Sequence, residues 1–155
     1  MIRLAKAEDA HLVHKIIMSA FEEYRNLDVP SGALNETVSS IEESLRSRAE
    51  KALLYFQDGV PLGTVRFKTD KTSLYFFRLA VCPEARRKGI AKSMLSWLEN
   101  YAQEHGITEI CCKVRMSIPE NIQLYQSVGY AVFKEEAVTF PNGVQLKIAS
   151  MKKKI

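Results

Sequence analysis

The sequence predicts a layered α/β domain, with helices packed on a mixed central sheet. Two observations carry that reading. The hydrophobic period switches along the chain, from helical spacing near the N-terminus to short β-rich runs in the middle, and then to alternating helices and strands. Two Gly-containing pairs, Asp58-Gly59 and Asn142-Gly143, lie between apolar runs and signal hairpins. No internal repeat or low-complexity linker divides the 155 residues. Because roughly 100–200 residues make one domain, 1–155 reads as a single domain.

Taken in order, Ile2 to Leu4 can start a short strand. Val13, Ile16, Ile17, Ala20, Phe21 and Tyr24 then recur at helical spacing and form one face of an amphipathic helix. The segment Asn26 to Asn35, with Pro30-Ser31-Gly32, breaks it. Val38, Ile41 and Leu45 form a second, shorter helix capped by Thr37 or Asn35. Ala52 to Phe56, Val60 to Phe67 and Leu74 to Val81 are three consecutive antiparallel strands, separated by Asp58-Gly59 and by Thr69-Asp70-Lys71. Met94, Leu95, Leu98, Tyr101 and Ala102 make the face of a third helix, which Gly106 stops. A strand from Glu109 to Val114 leads to a shorter helix, with Ser117 and Glu120 as a capping box, Pro119 in its first turn and Gly129 at its end. Tyr130 to Phe140 and Val144 to Ser150 close the chain as a hairpin.

Composition narrows the function classes. With 46% hydrophobic residues, 7 Gly and 5 Pro, the chain is neither collagen-like nor disordered. No apolar run approaches the ~18 residues of a membrane span, so no membrane partner is expected. A domain of this size buries about 68–70% of its unfolded surface and needs no disulfide or structural metal. The start MIRLAKAEDA lacks the apolar stretch of a secretory signal, which points to a cytoplasmic protein. Cys82, Cys111 and Cys112 read as small buried residues. The adjacent pair points to opposite faces of a strand, and no Cys/His spacing suits a metal.

The net charge is +4, from 22 Lys and Arg against 18 Asp and Glu. Such a balance suits nucleic acid, an anionic cofactor, or solubility alone. The basic residues gather at Arg86-Arg87-Lys88 and at Lys152-Lys153-Lys154, the second read as a solvated tail. A nucleic-acid module needs a broad basic stripe, which one short cluster and a tail do not supply.

The informative segment runs from Leu79 through Ala80, Val81, Cys82, Pro83, Glu84 and Ala85 to Arg86-Arg87-Lys88-Gly89-Ile90-Ala91. It is a strand end, a turn, and a basic, Gly-containing helix start. Unpaired N–H groups and a partial positive charge at a helix N-terminus make an anion site. Gly89 lets phosphate oxygens approach the backbone, and the three bases add mobile positive charge, so a pyrophosphate is the fitting ligand. Two better-known phosphate motifs are absent: Ala91 and Arg86 stand where a P-loop needs Gly, and no G-x-G-x-x-G occurs.

The hexapeptide Arg86-Arg87-Lys88-Gly89-Ile90-Ala91 resembles the R/Q-x-x-G-x-G/A signature of the GNAT superfamily of acyl-CoA-dependent N-acyltransferases. Asn121-Ile122-Gln123-Leu124-Tyr125-Gln126-Ser127-Val128-Gly129-Tyr130 resembles its second motif, N-x-x-x-x-Y-x-x-x-G-F/Y. The element order matches over nearly the whole chain. This resemblance implies a mostly antiparallel sheet with two splayed strands and flanking helices. It implies acetyl-CoA as co-substrate, with pyrophosphate on the amides of Arg86, Arg87, Lys88, Gly89, Ile90 and Ala91. The pantetheine arm would pair with backbone groups of Leu79, Ala80 and Val81 and with Asn121. Tyr125 would protonate the departing thiolate as a neutral amine attacks directly in a ternary complex.

One departure concerns the base. The family often carries a carboxylate on the strand before the pyrophosphate loop, but Leu74 to Val81 holds no acid. Glu22, Glu23, Asp28 and Glu36 lie in the N-terminal region that would form the acceptor wall; a water relay or a pre-deprotonated amine serves equally well. Arg78 either faces the acceptor cleft, where it can hold a carboxylate, or lies on a solvated strand face. Asn26 to Asn35 is either an acceptor lid or a plain connection. His11, His14 and His105 read as solvent-facing or dipole-complementing. The expected activity is N-acetylation of a small-molecule or peptide amine, with no nucleic acid as partner. The alternative is a non-catalytic acyl-CoA sensor of the same fold, in which Tyr125 is a packing residue. The C-terminal hairpin offers strands for a homodimer.

Overall fold

The computed structural model describes all of residues 1–155. The strands are β1 (Ile2–Leu4), β2 (Lys51–Gln57), β3 (Val60–Thr69), β4 (Ser73–Val81), β5 (Glu109–Arg115), β6 (Ala131–Thr139) and β7 (Gln145–Lys154). The helices are α1 (Ala10–Phe21), α2 (Val38–Arg46), α3 (Ile90–Glu104) and α4 (Pro119–Ser127). They follow the order expected from the periodicity, and one seven-stranded sheet runs β1-β2-β3-β4-β5-β7-β6. Every neighbouring pair is antiparallel except β4 and β5, which are parallel and joined through α3.

Local chemistry accounts for the turns. Asp58 and Gly59 both take positive φ, 52° and 78°, the two left-handed residues of a type I′ hairpin turn. Asp70 accepts hydrogen bonds from the amides of Thr72 at 2.9 Å and Ser73 at 2.8 Å and so folds the β3–β4 turn. Of the two candidate caps for α2, Thr37 is the one used, accepting from the Ser40 amide.

The core lies on both sides of the N-terminal half of the sheet. Val13, Ile16, Ile17 and Ala20 of α1 and Ile41 of α2 cover one face, while Ile90, Met94, Leu95, Leu98 and Ala102 of α3 cover the other; all are buried. Beyond β4, Tyr125 of α4 and Tyr130 pack on Phe76, with ring centroids 5.4 and 5.8 Å away.

Three expectations need correction. Ser117 caps nothing: the residue before α4 is Ile118, and its helix starts without a side-chain cap. Pro119 brings its own φ and has no N–H to satisfy, and it holds the preceding residue out of the helical region. Lys152, Lys153 and Lys154 are no solvated tail but the end of β7, paired in register with Cys111, Ile110 and Glu109. There Lys153 reaches Glu99 of α3 at 2.9 Å, and Lys152 lies over the Phe133 ring. Pairing with β5 gives these residues backbone hydrogen bonds, while long lysine stems keep their charged ends at the surface. His14 is half-buried and sits 3.1 Å from the Glu36 carbonyl oxygen rather than facing solvent.

Candidate active site

The site begins with a defect in β4. Across β3, Thr64 faces Ala80 and Arg66 faces Phe77, so Val65 alone opposes both Arg78 and Leu79. This is a β-bulge, and Arg78 takes φ +54°, unusual for a residue with a side chain. A bulge bends its strand. β4 accordingly pairs with β5 only from Ser73 to Tyr75, against Glu109 to Cys111, and then swings away. Ala80 and Val81 keep their β3 partners Thr64 and Gly63. Leu79 to Val81 have no strand partner on the β5 side, where Arg86 Nε donates to the Val81 carbonyl at 3.4 Å. A cleft of about 930 Å³ occupies the opening.

At the mouth, Cys82 and Pro83 turn the chain into α3. Arg87 and Gly89 both take positive φ, 64° and 79°, and Gly89 is the N-terminal flanking residue of the helix with no side-chain cap. The first amide past the turn to find a backbone acceptor is Ser93, on Gly89 at 3.0 Å; those of Arg87 through Lys92 find none. A Cβ on Gly89 would meet nothing within 4 Å, so it is the backbone angle that calls for glycine there.

Of the residues picked from sequence, Leu79, Ala80, Val81, Arg86, Arg87, Gly89, Ile90, Ala91, Asn121 and Tyr125 all line this cleft; Lys88 does not. The side chain of Arg86 is not mobile as expected. It donates to Glu23 at 3.0 Å and to the carbonyl of Ala20 at 3.1 Å, bracing the end of α1 against the loop. Asn121 and Tyr125 stand one turn apart on α4, on the side facing the cleft. Tyr125 is 6% exposed. Its hydroxyl makes no hydrogen bond, and no buried side-chain polar atom lacks a partner, so the hydroxyl opens to the cleft. Burial raises its pKa well above the ordinary tyrosine value, and the phenol stays protonated.

Strand alternation sorts the two sides of the opening. Phe76 faces α4, so Tyr75 and Phe77 face the other way, their rings stacked with centroids 5.8 Å apart. Arg78 shares that side: its Nε donates to Glu36 at 3.0 Å, and Glu36 also takes Nη1 of Arg66 at 2.5 Å. Arg66, buried beneath, is completed by Glu50, with Nε at 2.7 Å. On β5, Cys112 and Val114 are buried, which turns Lys113 and Arg115 outward to the same side as Tyr75. Arg115 donates to the carbonyls of Val29 and Pro30, and Asn142 donates to that of Asp28 at 3.0 Å. The Asn26 to Asn35 segment is therefore tied down over the opening, and its Ser31 and Gly32 line the cleft.

Sequence reasoning missed Tyr24, Tyr75, Phe77, Lys113, Arg115 and Glu120, which line the cleft too. The alternation of Tyr75 and Phe77 against the buried Leu74 and Phe76 was readable; Arg115 and Tyr24 carry no local signal. Among the carboxylates named beforehand, Glu22 pairs with Arg25 at 2.7 Å, Glu36 with two arginines, and Glu23 with Arg86. Only Glu23 of these lines the cleft, and Glu120 joins it. No group of His, Cys, Asp or Glu stands together that could hold a metal ion.

A sheet that opens between two parallel strands, with an uncapped helix start at the mouth, defines the GNAT fold. The chain belongs to this class: the sequence model of the Acetyltransferase (GNAT) family matches residues 12–130. Solved structures agree in fold. An acetyltransferase of the GNAT family from Streptococcus pneumoniae superposes with a TM-score of 0.80 at 19% identity, covering 100% of this chain and 99% of that one. A ribosomal-protein-alanine N-acetyltransferase from Brucella melitensis gives 0.81 at 19% identity, again over 100% and 99%. For yncA of Salmonella typhimurium, solved with its cofactor acetyl-CoA, the values are 0.80 and 18%, over 99% and 92%. No curated protein sequence matches the chain significantly. No helix is long and apolar enough to cross a membrane.

Proposed function

We propose that this protein is an N-acetyltransferase that moves an acetyl group from acetyl-CoA to a primary amine. The chain is taken as one catalytic domain, 1–155, acting in the cytoplasm. The observation that carries the reading is a single continuous cleft. It joins the unpaired amides of Arg87 and of Gly89 to Lys92, the backbone of Leu79 to Val81 that has no partner on β5, and the open hydroxyl of Tyr125.

Each part answers one need of the reaction. The α3 amides, at the positive end of the helix dipole, suit a pyrophosphate. The edge of Leu79, Ala80 and Val81 accepts the amide-bearing pantetheine arm as an added strand, with Asn121 from the opposite wall. A backbone N–H on that edge faces the thioester oxygen and stabilises the charge that develops there. The amine attacks the carbonyl carbon in its neutral form and sheds a proton. As the carbon–sulfur bond breaks, Tyr125 gives its proton to the leaving sulfur. A phenol held protonated by burial is ready for that step, and the same dry surroundings make the thiolate a stronger base. No carboxylate stands on β4; the proton of the amine is taken to leave through water at the open mouth, where Glu23 and Glu120 also line the cleft.

The reading is tested by thiol release from acetyl-CoA across polyamines, amino acids, aminoglycosides and peptides. Turnover with at least one class is expected. Tight acetyl-CoA binding without turnover on any acceptor supports a sensor instead.

A further inference from the structure

We propose that the acceptor is a small amine that also bears a carboxylate, held by Arg78 and Arg115 on the side of β4 opposite Tyr125. This deepens the acetyl-transfer reading and rests on it.

The bulge gives Arg78 its place. At φ +54° it follows Phe77 onto the same side of the strand and enters the cleft. Only its Nε is engaged, by Glu36; the terminal nitrogens Nη1 and Nη2 make no hydrogen bond and are not sealed off. Gly32 lies beside this end of the guanidinium, where an added Cβ would stand in ordinary contact with Nη2 at 3.4 Å. Arg115 enters from β5, across the opening. Its partners are the neutral carbonyls of Val29 and Pro30, and no carboxylate lies within salt-bridge distance. The stacked rings of Tyr75 and Phe77 line the same cleft and give it an apolar wall.

Charge balance then selects the ligand. Arg66 and Arg78 are offset by Glu36 and Glu50, which leaves Arg115 uncompensated. Lys113 is paired with Glu136 at 3.9 Å, so the uncompensated cation on this side is Arg115 alone. Burial first, and the neighbouring Arg78 charge second, lower the Arg115 pKa, which places the two guanidiniums near each other. A polyamine, an aminoglycoside or a basic peptide meets repulsion here. A carboxylate meets a planar guanidinium with free donors, and two such charges give it both affinity and orientation. The same cations disfavour the ammonium form of the bound amine and so favour the nucleophile.

The test compares free amino acids with their own carboxamides and with spermidine. Thiol release is measured with acetyl-CoA, and acceptor binding to the CoA-saturated protein by calorimetry. The carboxamides carry the more acidic ammonium, so amine chemistry alone favours them. We expect the free acids to exceed them in kcat/KM by about tenfold or more, because a site built for a charged group rejects the analogue that lacks it. Arg78→Gln should bring that ratio close to one through KM, and Arg78→Lys should restore part of it. Preference for carboxamides or spermidine overturns the proposal, as does an undiminished ratio in Arg78→Gln, or no binding by any of the free acids. A protein that binds no acetyl-CoA fails the acetyl-transfer reading itself; one that acetylates spermidine preferentially keeps that reading and loses only the carboxylate.

Discussion

Phe76 and Tyr125 meet edge to face, with ring centroids 5.4 Å apart and planes at 73°, at the point where β4 begins to leave β5. The contact locks the phenol ring by packing while its hydroxyl stays free, a division between ring and oxygen that mutation can separate. Tyr125→Phe keeps the ring and removes the oxygen. General-acid help is worth about 10²–10⁴-fold, so kcat should fall at least about tenfold, with acetyl-CoA affinity held within about threefold. Steady-state kinetics and calorimetry on the pair decide it: equal kcat values make Tyr125 a packing residue, and no turnover in either protein supports a sensor.

The raised pKa of Tyr125 has its own readout. An alkaline titration of tyrosinate absorbance, subtracting Tyr125→Phe from wild type, should show no step at the ordinary tyrosine value of about 10. Burial disfavours the charged phenolate, so the shift is upward and the step comes later, or with unfolding. A step near 10 means that the ring sits in water.

Gly89→Glu should weaken acetyl-CoA binding at least about tenfold, or about 1.4 kcal/mol. It places a carboxylate where the pyrophosphate is proposed to lie, on a backbone at φ +79°. Gly89→Ala separates the causes. It meets no neighbour within 4 Å and costs only the left-handed angle, roughly 1–2 kcal/mol of stability. Affinity in Gly89→Glu equal to that in Gly89→Ala contradicts the anion site.

Arg66 is 4% exposed and sits between Glu36 and Glu50. Arg66→Met strands Glu50 without a cation, and breaking a buried pair in this way costs about 3–5 kcal/mol. Urea denaturation should show that loss, and Arg66→Met with Glu50→Leu should recover much of it. Single and double variants of equal stability would mean that Glu50 is hydrated once Arg66 is gone.

Cys111 and Cys112 are adjacent yet differ in burial. Burial pushes the Cys112 thiol up to about 12, and it raises Cys111 less. The thiolate is the reactive form, so alkylation of the native protein at pH 8 should label Cys111 first and leave Cys112 intact until unfolding. Mass spectrometry of the labelled peptide reads the order; equal rates would mean that β5 opens readily.

Much of this was legible in the chain itself. Helical spacing from Val13 to Phe21, the Asp58-Gly59 turn, Gly89 before a helix, and Asn121 with Tyr125 one turn apart are local facts, because they depend on neighbours within a few residues. Alternation likewise assigns Cys111 and Cys112 to opposite faces. What only the tertiary structure decided is where distant segments meet. The positive φ of Arg78 arises from a register mismatch with β3, and no propensity encodes it. Arg115 reaches Val29 and Pro30 from far along the sequence, and Arg86 is claimed by Glu23 and the end of α1. Ser117 lost its cap to the ring of Pro119, and the terminal lysines became a strand only because β5 pairs with all three of them. Sequence determined the elements and the motif that opens α3. The pairing of β3, β4 and β5 determined the cleft, because a cleft is the space that remains where two strands cease to share hydrogen bonds.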